Sequence, residues 1–364
     1  MAQNTDFIPS AYPQTLTSGR FKCSAPSNIA LVKYWGKKDG QIPANPSVSF
    51  TLKNCKTVTE LAFEPRQDFS KAFSFELFFE GKPKESFRPK IEKFFERISV
   101  YLPFLKDYHF TIRTENTFPH SSGIASSASG MAALSMALMC LEKALDPQMT
   151  EASFYQKASF LARLGSGSAC RSIQGEVVVW GKQQNIAGSS DLFGISFPYE
   201  VHENFSHFQD TILLVDKGEK QVSSTVGHDL MNGHPFAERR FGQAHENLDK
   251  LIAIFKSGDL TEFIKVVESE ALTLHAMMMA SMPYFILMKP NTLEILNKIW
   301  KFRAETKIPV CFTLDAGANV HVLYPENVSA SVLQFIQAEL VGHCQNGQYI
   351  CDENGNGAAL INHE

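Results

Sequence analysis

The sequence lacks the paired cysteines that zinc sites and redox motifs use. Its seven cysteines are odd in number and scattered, and no two form a CxxC pair. They are Cys23, Cys55, Cys140, Cys170, Cys311, Cys344 and Cys351. This pattern favours reduced thiols in a cytoplasm over a disulfide framework or a zinc site.

Long apolar runs are also missing. No stretch reaches the length of about 18 residues that a transmembrane helix needs. The nearest candidate, residues 271–288, contains Thr273, His275, Ser281 and Pro283, and we interpret it as a core helix followed by a turn. Residues 1–20 are polar and have no apolar segment typical of a secretory signal. We therefore expect a cytoplasmic protein that does not contact the membrane.

A basic excess is absent, because the formal net charge is −4 and the isoelectric point is near 6.3. A general nucleic-acid-binding protein usually carries a basic surplus, so nucleic acid is not an expected partner. If the protein binds anionic ligands, a local cluster of Lys, Arg and backbone N–H groups must bind them.

The rest of the composition is that of a globular protein. The chain has 364 residues, of which 44% are hydrophobic and 20% charged, and this length suits two packed domains. Strands are predicted at residues 50–63, 73–79, 109–114, 176–180, 211–215, 310–314 and 320–324. Helices are predicted at residues 90–101, 127–144, 154–164, 236–255, 260–271, 292–303 and 331–341. Strands and helices in this order predict α+β domains.

The predicted domain boundary lies in the polar stretch at residues 189–208, which contains Gly, Pro and Asn. We therefore expect a loosely held N-terminal tail at residues 1–20. A first domain would follow at residues 21–200, and a second domain at residues 201–364.

A serine- and glycine-rich segment at residues 119–130 lies between a predicted strand and a predicted helix. Gly123 permits backbone angles that expose N–H groups, and the first turn of the helix adds unpaired N–H donors. Ser121, Ser122, Ser126 and Ser127 add hydroxyl donors, so this junction predicts a phosphate-binding loop in a nucleotide-using enzyme. It is not a Walker A loop, since no Gly-Lys-Ser/Thr closes it. The alternative is a surface loop that caps the helix.

Lys33 lies in an apolar run within residues 25–37, with Tyr34 and Trp35 beside it and Lys37 shortly after. Burying a lysine in such surroundings is unfavourable unless an anion pairs with it. The alternative is a lysine at a strand edge whose ammonium group reaches water.

Two further segments carry charged groups at glycine-rich turns. Arg171 ends the segment at residues 163–171, where it is suited to bidentate binding of phosphate or carboxylate; the alternative is a helix cap and turn. Asp315 follows a predicted apolar strand, where a carboxylate can contact a substrate hydroxyl; the alternative is an ordinary turn aspartate.

Two other stretches give weaker signals. Residues 215–227 contain Lys217, Lys220, Ser223, Ser224 and Thr225, and a solvated charged turn is the simpler interpretation. His275 and the methionines after it are interpreted as part of a packed helix without a chemical role.

Together, five of these strings resemble the diphosphomevalonate decarboxylase family of the GHMP kinase superfamily, in the family's order. They are Ala-Pro-Ser-Asn-Ile-Ala-Leu-Val-Lys-Tyr-Trp-Gly-Lys (25–37), Phe-Pro-His-Ser-Ser-Gly-Ile-Ala-Ser-Ser-Ala-Ser-Gly (118–130), Gly-Ser-Gly-Ser-Ala-Cys-Arg-Ser (165–172), Val-Ser-Ser-Thr-Val-Gly (222–227) and Leu-Asp-Ala-Gly-Ala-Asn (314–319). The serine loop alone is typical of the whole superfamily, whereas the Lys-Tyr-Trp-Gly-Lys and Gly-Ser-Gly-Ser-Ala-Cys-Arg-Ser strings are specific to the decarboxylase branch.

The resemblance implies an activity and a fold. The activity is ATP- and Mg²⁺-dependent decarboxylation of 5-diphosphomevalonate to isopentenyl diphosphate, ADP, phosphate and CO2, in the mevalonate pathway. The fold is a two-domain GHMP-kinase-like α+β fold. It has a ribosomal-protein-S5-like N-terminal domain, a ferredoxin-like C-terminal domain and a cleft between them. A homodimer is also implied.

The resemblance further implies roles for individual residues. Catalysis would fall to Asp315, Lys33, Arg171 and Asn28, with Asp315 facing the C3 hydroxyl and Arg171 near the substrate carboxylate. The nucleotide would be bound by Ser121, Ser122, Gly123, Ser126 and Ser127, and Mg²⁺ by Ser126 and Ser127. The substrate would be bound by Tyr34, Lys37, Ser168, Ser223, Ser224 and Thr225.

The chain departs from the family pattern at three places. Pro46 stands where the family usually has Ser, His120-Ser121-Ser122 replaces Thr-Ala-Ala, and Ala318 replaces Pro. None of these changes removes a charged group. The departures do leave a changed substrate open, so the alternatives are a mevalonate 5-phosphate decarboxylase or a mevalonate-type kinase of the same superfamily. From another class, the alternative is a non-catalytic sensor on this fold.

Overall fold

Two β-sheets form the framework of the chain in a computed structural model that describes residues 3–119, 124–216 and 224–363. The described residues contain fourteen strands: β1 (Gly19–Val32), β2 (Lys37–Lys38), β3 (Ile42–Pro43), β4 (Ser47–Pro65), β5 (Ser74–Phe79), β6 (Lys82–Pro83), β7 (Tyr108–Asn116), β8 (Val177–Trp180), β9 (Ile195–Ser196), β10 (Gln209–Leu213), β11 (Cys311–Thr313), β12 (Val320–Tyr324), β13 (Tyr349–Glu353) and β14 (Ala359–His363).

Eight α-helices lie in the same described ranges: α1 (Arg88–Ile98), α2 (Ser126–Leu145), α3 (Glu151–Gly165), α4 (Ser224–Asp229), α5 (Ala237–Ser257), α6 (Leu260–Met279), α7 (Pro290–Thr306) and α8 (Ser329–Phe335). A 3₁₀ segment, Gly167–Ser172, follows α3, and a π-helical turn, Ile336–Leu340, continues α8. These bounds confirm the predicted helices. They also lengthen α6 by two turns, because Leu274 and Met278 continue its buried stripe.

The first sheet has the strand order β14-β1-β4-β7-β5-β6, with β8 and β9 attached along β4. All neighbours are antiparallel except β5 and β7. The long strand β4 is shared, because its first residues pair with β8 and its last residues pair with β7. The end of β1 therefore lies across β4 from β8, and it contacts the 3₁₀ segment after α3.

Helix α2 packs on β1 and β4 through small residues. Ala132, Ala133 and Ala137 are fully buried, which permits close contact between helix and sheet. By length and composition α2 is apolar enough to cross a membrane, but 83% of its most apolar stretch is buried inside the protein. We interpret it as the central core helix of the first sheet.

The second sheet is antiparallel, with the strand order β11-β12-β10-β13. The predicted hairpin of β11 and β12 is confirmed. A shared apolar core joins this unit to the first sheet, since Ile29 and Leu31 of β1 cluster with Leu248, Leu251 and Val267 of α5 and α6. This contact brings the end of β1 against α6.

Two aromatic side chains anchor the described part of the N-terminal segment to the core, although most of its residues are exposed. Phe7 is buried and stacks on Phe160 with ring centroids 4.3 Å apart. The Tyr12 hydroxyl donates a hydrogen bond to Glu142 Oε1 at 2.9 Å. The polar composition and the prolines of this segment hid two aromatic anchors that contact the core.

The last strand returns to the first sheet. β14 pairs antiparallel with β1, with Ala359 opposite Ser24. A boundary near residue 200 separates two parts of the sequence. The first sheet contains strands from both parts, because β14 comes from the C-terminal end of the chain.

Candidate active site

Lys33 and Asp315 form an ion pair where the two sheets meet. Lys33 is the first residue after β1, and Asp315 lies in the turn between β11 and β12. The Lys33 Nζ atom lies 2.9 Å from Asp315 Oδ1, and Lys33 is only 1% exposed. The strand-edge interpretation required the ammonium group to reach water. Its burial shows that it does not. Burial lowers the pKa of Lys33, while the charge of Asp315 acts in the opposite direction.

Arg171 lies in the 3₁₀ segment after α3 and is buried beside this pair. Its Nη1 donates to Ser47 Oγ at 2.6 Å and its Nε donates to Asn28 Oδ1 at 3.3 Å. Both acceptors are neutral, so these hydrogen bonds orient the guanidinium without neutralising it. Burial lowers the pKa of Arg171, while the charge of Asp315 is among the smaller influences that raise it.

Asn28 links β1 to the Arg171 segment. Its Nδ2 donates to Ser172 Oγ at 2.8 Å and to the Ser168 carbonyl at 3.2 Å, while its Oδ1 accepts from Arg171. The pairing of β1 with β4 shifts between Pro26 and Asn28. Such an irregularity can re-aim a side chain, and here the Asn28 amide reaches this neighbouring segment.

The turn after Lys33 is held by an imidazole. Gly36 adopts a φ of +100° and donates its N–H to His228 Nδ1 at 3.0 Å. The His228 ring centroid lies 4.2 Å from that of Tyr34 and 4.7 Å from that of Trp35. Burial, followed by the charges of Lys37 and Arg171, lowers the pKa of His228 to about 3, so the ring is neutral and its Nδ1 is an acceptor.

Helix α4 lies beside this turn. Lys37 Nζ is 3.4 Å from Asp229 Oδ1 at the end of the helix. Ser224 and Thr225 begin α4, whereas Ser223 lies outside the described residues. The structure thus brings the Lys-Tyr-Trp-Gly-Lys segment next to α4, whose first residues are the described part of the predicted Ser-Ser-Thr segment.

The described end of the serine loop lies next to β1. Ser27 Oγ on β1 donates to the Ile124 carbonyl at 2.7 Å. Ser126 and Ser127 form the first turn of α2, where Ser127 is exposed and accepts a hydrogen bond from Lys90 of α1. The other loop residues assigned to the nucleotide, Ser121, Ser122 and Gly123, lie outside the described residues.

The comparison with known families gives matches along most of the chain. The model for the diphosphomevalonate decarboxylase-like N-terminal domain matches residues 25–192, and the model for the mevalonate 5-diphosphate decarboxylase C-terminal domain matches residues 211–362. The diphosphomevalonate decarboxylase of Aspergillus fumigatus is 30% identical, over 88% of this chain and 80% of its own length. The chain belongs to the diphosphomevalonate decarboxylase family.

Solved structures of the family share the fold. A mevalonate diphosphate decarboxylase from Staphylococcus aureus aligns with a TM-score of 0.81 and 28% identity, covering 95% of this chain and 99% of its own. A complex of MDDEF with MVAPP, AMPPCP and magnesium aligns with a TM-score of 0.80 and 28% identity over the same shares. These matches confirm the α+β, two-domain GHMP-kinase-like fold of the family.

Several side chains around the pocket were not predicted from sequence. Ser47 accepts a hydrogen bond from Arg171, and Asn45 donates one to the Lys33 carbonyl. In the sequence, residues 45–47 were noted only because they depart from the family pattern. His275 was interpreted as a packed helix residue. It is buried, and its Nε2 also lies 3.2 Å from the Asp315 carbonyl oxygen. A histidine in an apolar helix gives no sequence signal for such a contact.

A cavity of about 380 Å³ lies elsewhere, beside β8 and the loop before β14. Its lining includes Gly175, Ser196 and Asn356, and it contains none of the predicted site residues. This cavity is therefore separate from the Lys33–Asp315 pair and from the side chains that contact it.

Proposed function

We propose that the protein catalyses ATP-dependent decarboxylation of 5-diphosphomevalonate to isopentenyl diphosphate, with ADP, phosphate and CO2 as the other products. The observation that carries this proposal is the Lys33–Asp315 ion pair, together with the buried Arg171 guanidinium that Ser47 and Asn28 orient. This arrangement offers one carboxylate for a hydroxyl and two cations for anionic groups. Similarity to family members that bear this activity in their names supports it.

The first step of the proposed reaction is activation of the substrate hydroxyl. In this proposal Asp315 accepts a hydrogen bond or the proton from the C3 hydroxyl, whose oxygen then attacks the terminal phosphorus of ATP. Lys33 Nζ lies 2.9 Å from the same carboxylate. Its charge also stabilises negative charge that develops on the transferred phosphate.

Loss of the carboxylate follows. The C3–O bond breaks with its electron pair leaving on phosphate, and positive charge develops at C3. The electron pair of the bond to the carboxylate then forms the alkene and releases CO2. Arg171 binds the carboxylate in this scheme, oriented by Ser47 and Asn28. A buried guanidinium with neutral partners is suited to that task, because electrostatic interactions are stronger away from water.

The nucleotide is assigned to the serine loop and the start of α2. Helix N-termini attract phosphate through unpaired N–H groups and the helix dipole. Ser126 and Ser127 stand at this position, and the loop residues Ser121, Ser122 and Gly123 remain assigned to it by family resemblance.

Magnesium fits this end of the pocket without a carboxylate cluster. Among the described residues no group of three or more His, Cys, Asp or Glu is arranged to hold a metal ion. Mg²⁺ that accompanies ATP keeps waters and phosphate oxygens as ligands, so one or two hydroxyls are enough. Ser126 and Ser127 would hold it, and it would neutralise phosphate charge when bound.

The diphosphate of the substrate is assigned to the other end. We assign Tyr34 and Lys37 of the turn after β1 to it, Ser168 of the 3₁₀ segment, and Ser224 and Thr225 at the start of α4. Ser223, outside the described residues, is assigned to it by family resemblance. The Lys37–Asp229 contact supports this assignment, because it joins two of the three segments.

The remaining expectations complete the proposal. Domains at residues 21–200 and 201–364 follow the N-terminal segment at residues 1–20, and the protein acts as a cytoplasmic homodimer without nucleic-acid or membrane partners. Burial of α2, the one described helix apolar enough to span a membrane, supports the last point. The gap between the two family matches, residues 193–210, supports the boundary.

The test is ADP release in a coupled assay, with CO2 trapped, for mevalonate, its 5-phosphate and its 5-diphosphate. The proposal requires ADP, phosphate and CO2 from the 5-diphosphate. ADP and CO2 from the 5-phosphate alone would make the protein a monophosphate decarboxylase. ADP without phosphate or CO2 would make it a kinase, and binding without turnover would make it a sensor.

A further inference from the structure

The peptide group of Lys33 is held by side chains from α5 and α6. The pairing of β1 with β4 ends at Val32, one residue earlier. Beyond that point the Lys33 N–H donates to Glu270 Oε2 at 2.9 Å, and the Lys33 carbonyl accepts from Arg240 Nη2 at 3.1 Å. The Glu270 and Arg240 side chains therefore supply the hydrogen bonds that a partner strand would otherwise make to the Lys33 peptide group.

Glu270 is surrounded by hydrogen-bond donors. Its Oε2 accepts from Arg240 Nη2 at 2.6 Å, and its Oε1 accepts from Arg240 Nη1 at 3.1 Å and from Asn247 Nδ2 at 2.7 Å. The side chains of both Glu270 and Arg240 are fully buried. With the Lys33 N–H, four donor hydrogens converge on this one carboxylate.

Fold stability is a poor explanation for this buried pair. Removing two charges from water is costly, and replacing such a pair by apolar side chains often leaves stability unchanged or improves it. The Arg240 Nε atom is buried without a hydrogen-bond partner among the described residues, which adds to the cost. What the pair does achieve is a fixed orientation of the Lys33 backbone.

The same helix contacts the partner of Lys33. His275 lies five residues after Glu270, a rise of about 7.5 Å along α6. Its Nε2 donates to the Asp315 carbonyl oxygen at 3.2 Å. Helix α6 thus holds the main chain of both members of the Lys33–Asp315 pair.

We propose that Glu270 is a positioning residue that sets Lys33 at its working distance from Asp315, acting through the Lys33 peptide group and without touching substrate. The inference rests on the proposed function for its kinetic readout. Its geometric consequence, a Lys33–Asp315 contact that depends on Glu270, is independent of which substrate the enzyme uses.

Glu270→Gln tests the proposal with little change in shape. The new amide nitrogen is a hydrogen-bond donor that faces other donors. At least one contact with Arg240, Asn247 or Lys33 must therefore break. We expect kcat for ADP release to fall by about tenfold to a hundredfold and the KM for ATP to stay within about twofold of wild type. An unchanged kcat in the folded variant would overturn the proposal.

Glu268→Gln is the matched control. Glu268 is also buried on α6, but it pairs with Arg303 at 2.6 Å and with Trp300 at 2.9 Å, away from Lys33. We expect this variant to lose thermal stability while kcat stays within about twofold of wild type. A loss of kcat equal to that of Glu270→Gln would overturn the proposal, because breaking any α6 ion pair would then suffice.

A crystal structure of Glu270→Gln separates this inference from the proposed function. The Lys33 Nζ to Asp315 Oδ1 distance should exceed the ion-pair limit of about 4 Å, and an unchanged 2.9 Å would overturn the positioning role. Wild-type protein that releases no CO2 from 5-diphosphomevalonate would refute the proposed function alone. If Glu270→Gln does not fold, Asn247→Ala removes one contact, and kcat should fall by about threefold; wild-type kcat there would overturn the proposal.

Discussion

Asp315 reaches Lys33 from 282 residues further along the chain, with 2.9 Å between the Oδ1 and Nζ atoms. One residue ends a strand of the first sheet and the other lies in a hairpin turn of the second. The pair therefore forms only when both sheets are folded and packed. Its position makes the junction of the two sheets the place where the chemistry is expected.

Asp315→Ala should abolish turnover while leaving the fold intact. The Asp315 side chain is 34% exposed, so few core contacts are lost. Lys33 loses its counter-ion, but burial already lowers its pKa and allows it to become neutral. We expect kcat to fall by about 10²- to 10⁴-fold, and the melting temperature to change by no more than about 5 °C.

Measurements of ADP release and of thermal unfolding check this prediction together. The control is Glu339→Gln, which breaks a surface pair with Lys298 and should leave kcat unchanged. Near-normal activity of Asp315→Ala would remove Asp315 from the proposed mechanism.

Arg171→Lys should be severely impaired although the charge is kept. A lysine ammonium cannot donate to Ser47 and Asn28 in the fixed fork of a guanidinium while also binding a carboxylate. We expect kcat/KM for 5-diphosphomevalonate to fall by at least about a hundredfold. Steady-state kinetics at saturating ATP measure this, and wild-type values would contradict the assignment of Arg171 to the substrate carboxylate.

Lys90→Met should weaken ATP binding selectively. Lys90 extends from α1 to Ser127 in the first turn of α2, the end of the pocket assigned to phosphate. We expect the KM for ATP to rise by about fivefold to tenfold and the KM for 5-diphosphomevalonate to stay unchanged. Lys93→Met, an exposed lysine on the same helix, is the control. Equal effects of the two substitutions would mean that only general surface charge matters.

Acid should destabilise the fold through His228. Its pKa is lowered to about 3 by burial, below the ordinary value, so the unfolded chain binds more protons in this range. Stability is complete above about pH 6.5 and falls as pH decreases toward the folded-state pKa. We expect His228 to account for a loss of about 2 kcal/mol between pH 7.5 and pH 5.

Urea unfolding at these two pH values measures the effect. His228→Gln cannot titrate, so the difference between the two free energies of unfolding should shrink by about 2 kcal/mol. His275 contributes in the same direction, since burial lowers its pKa to about 4, and it should remain in the variant. An unchanged pH dependence in His228→Gln would mean that the imidazole is protonated in the folded protein.

Local sequence patterns were enough to predict most of the secondary structure. The helical spacing of Phe94, Phe95 and Ile98 predicted α1, and the apolar runs around Asp315 predicted the β11–β12 hairpin. The aromatic contacts of the N-terminal segment were not predicted, because isolated aromatic residues such as Phe7 form no periodic pattern. The pairing of β14 with β1 involves residues too far apart in sequence for any local pattern to predict.

The site was predictable only in part for the same reason. Lys33, Arg171 and Asp315 drew attention because charged groups in apolar or glycine-rich surroundings are unusual, and the resemblance of the strings around them assigned them to one site. Glu270 and His275 also lie in an apolar helix, yet their contacts with Lys33 and Asp315 depend on how α6 packs against the sheets. Helix packing of that kind cannot be derived from residue spacing.

The most direct test of the account is the stoichiometry of one turnover. Purified protein, ATP and 5-diphosphomevalonate carrying a labelled carboxylate should release labelled CO2 and ADP in a ratio of one to one, and Asp315→Ala should release neither. ADP formed without labelled CO2 would contradict the account, because it would leave phosphoryl transfer as the whole reaction.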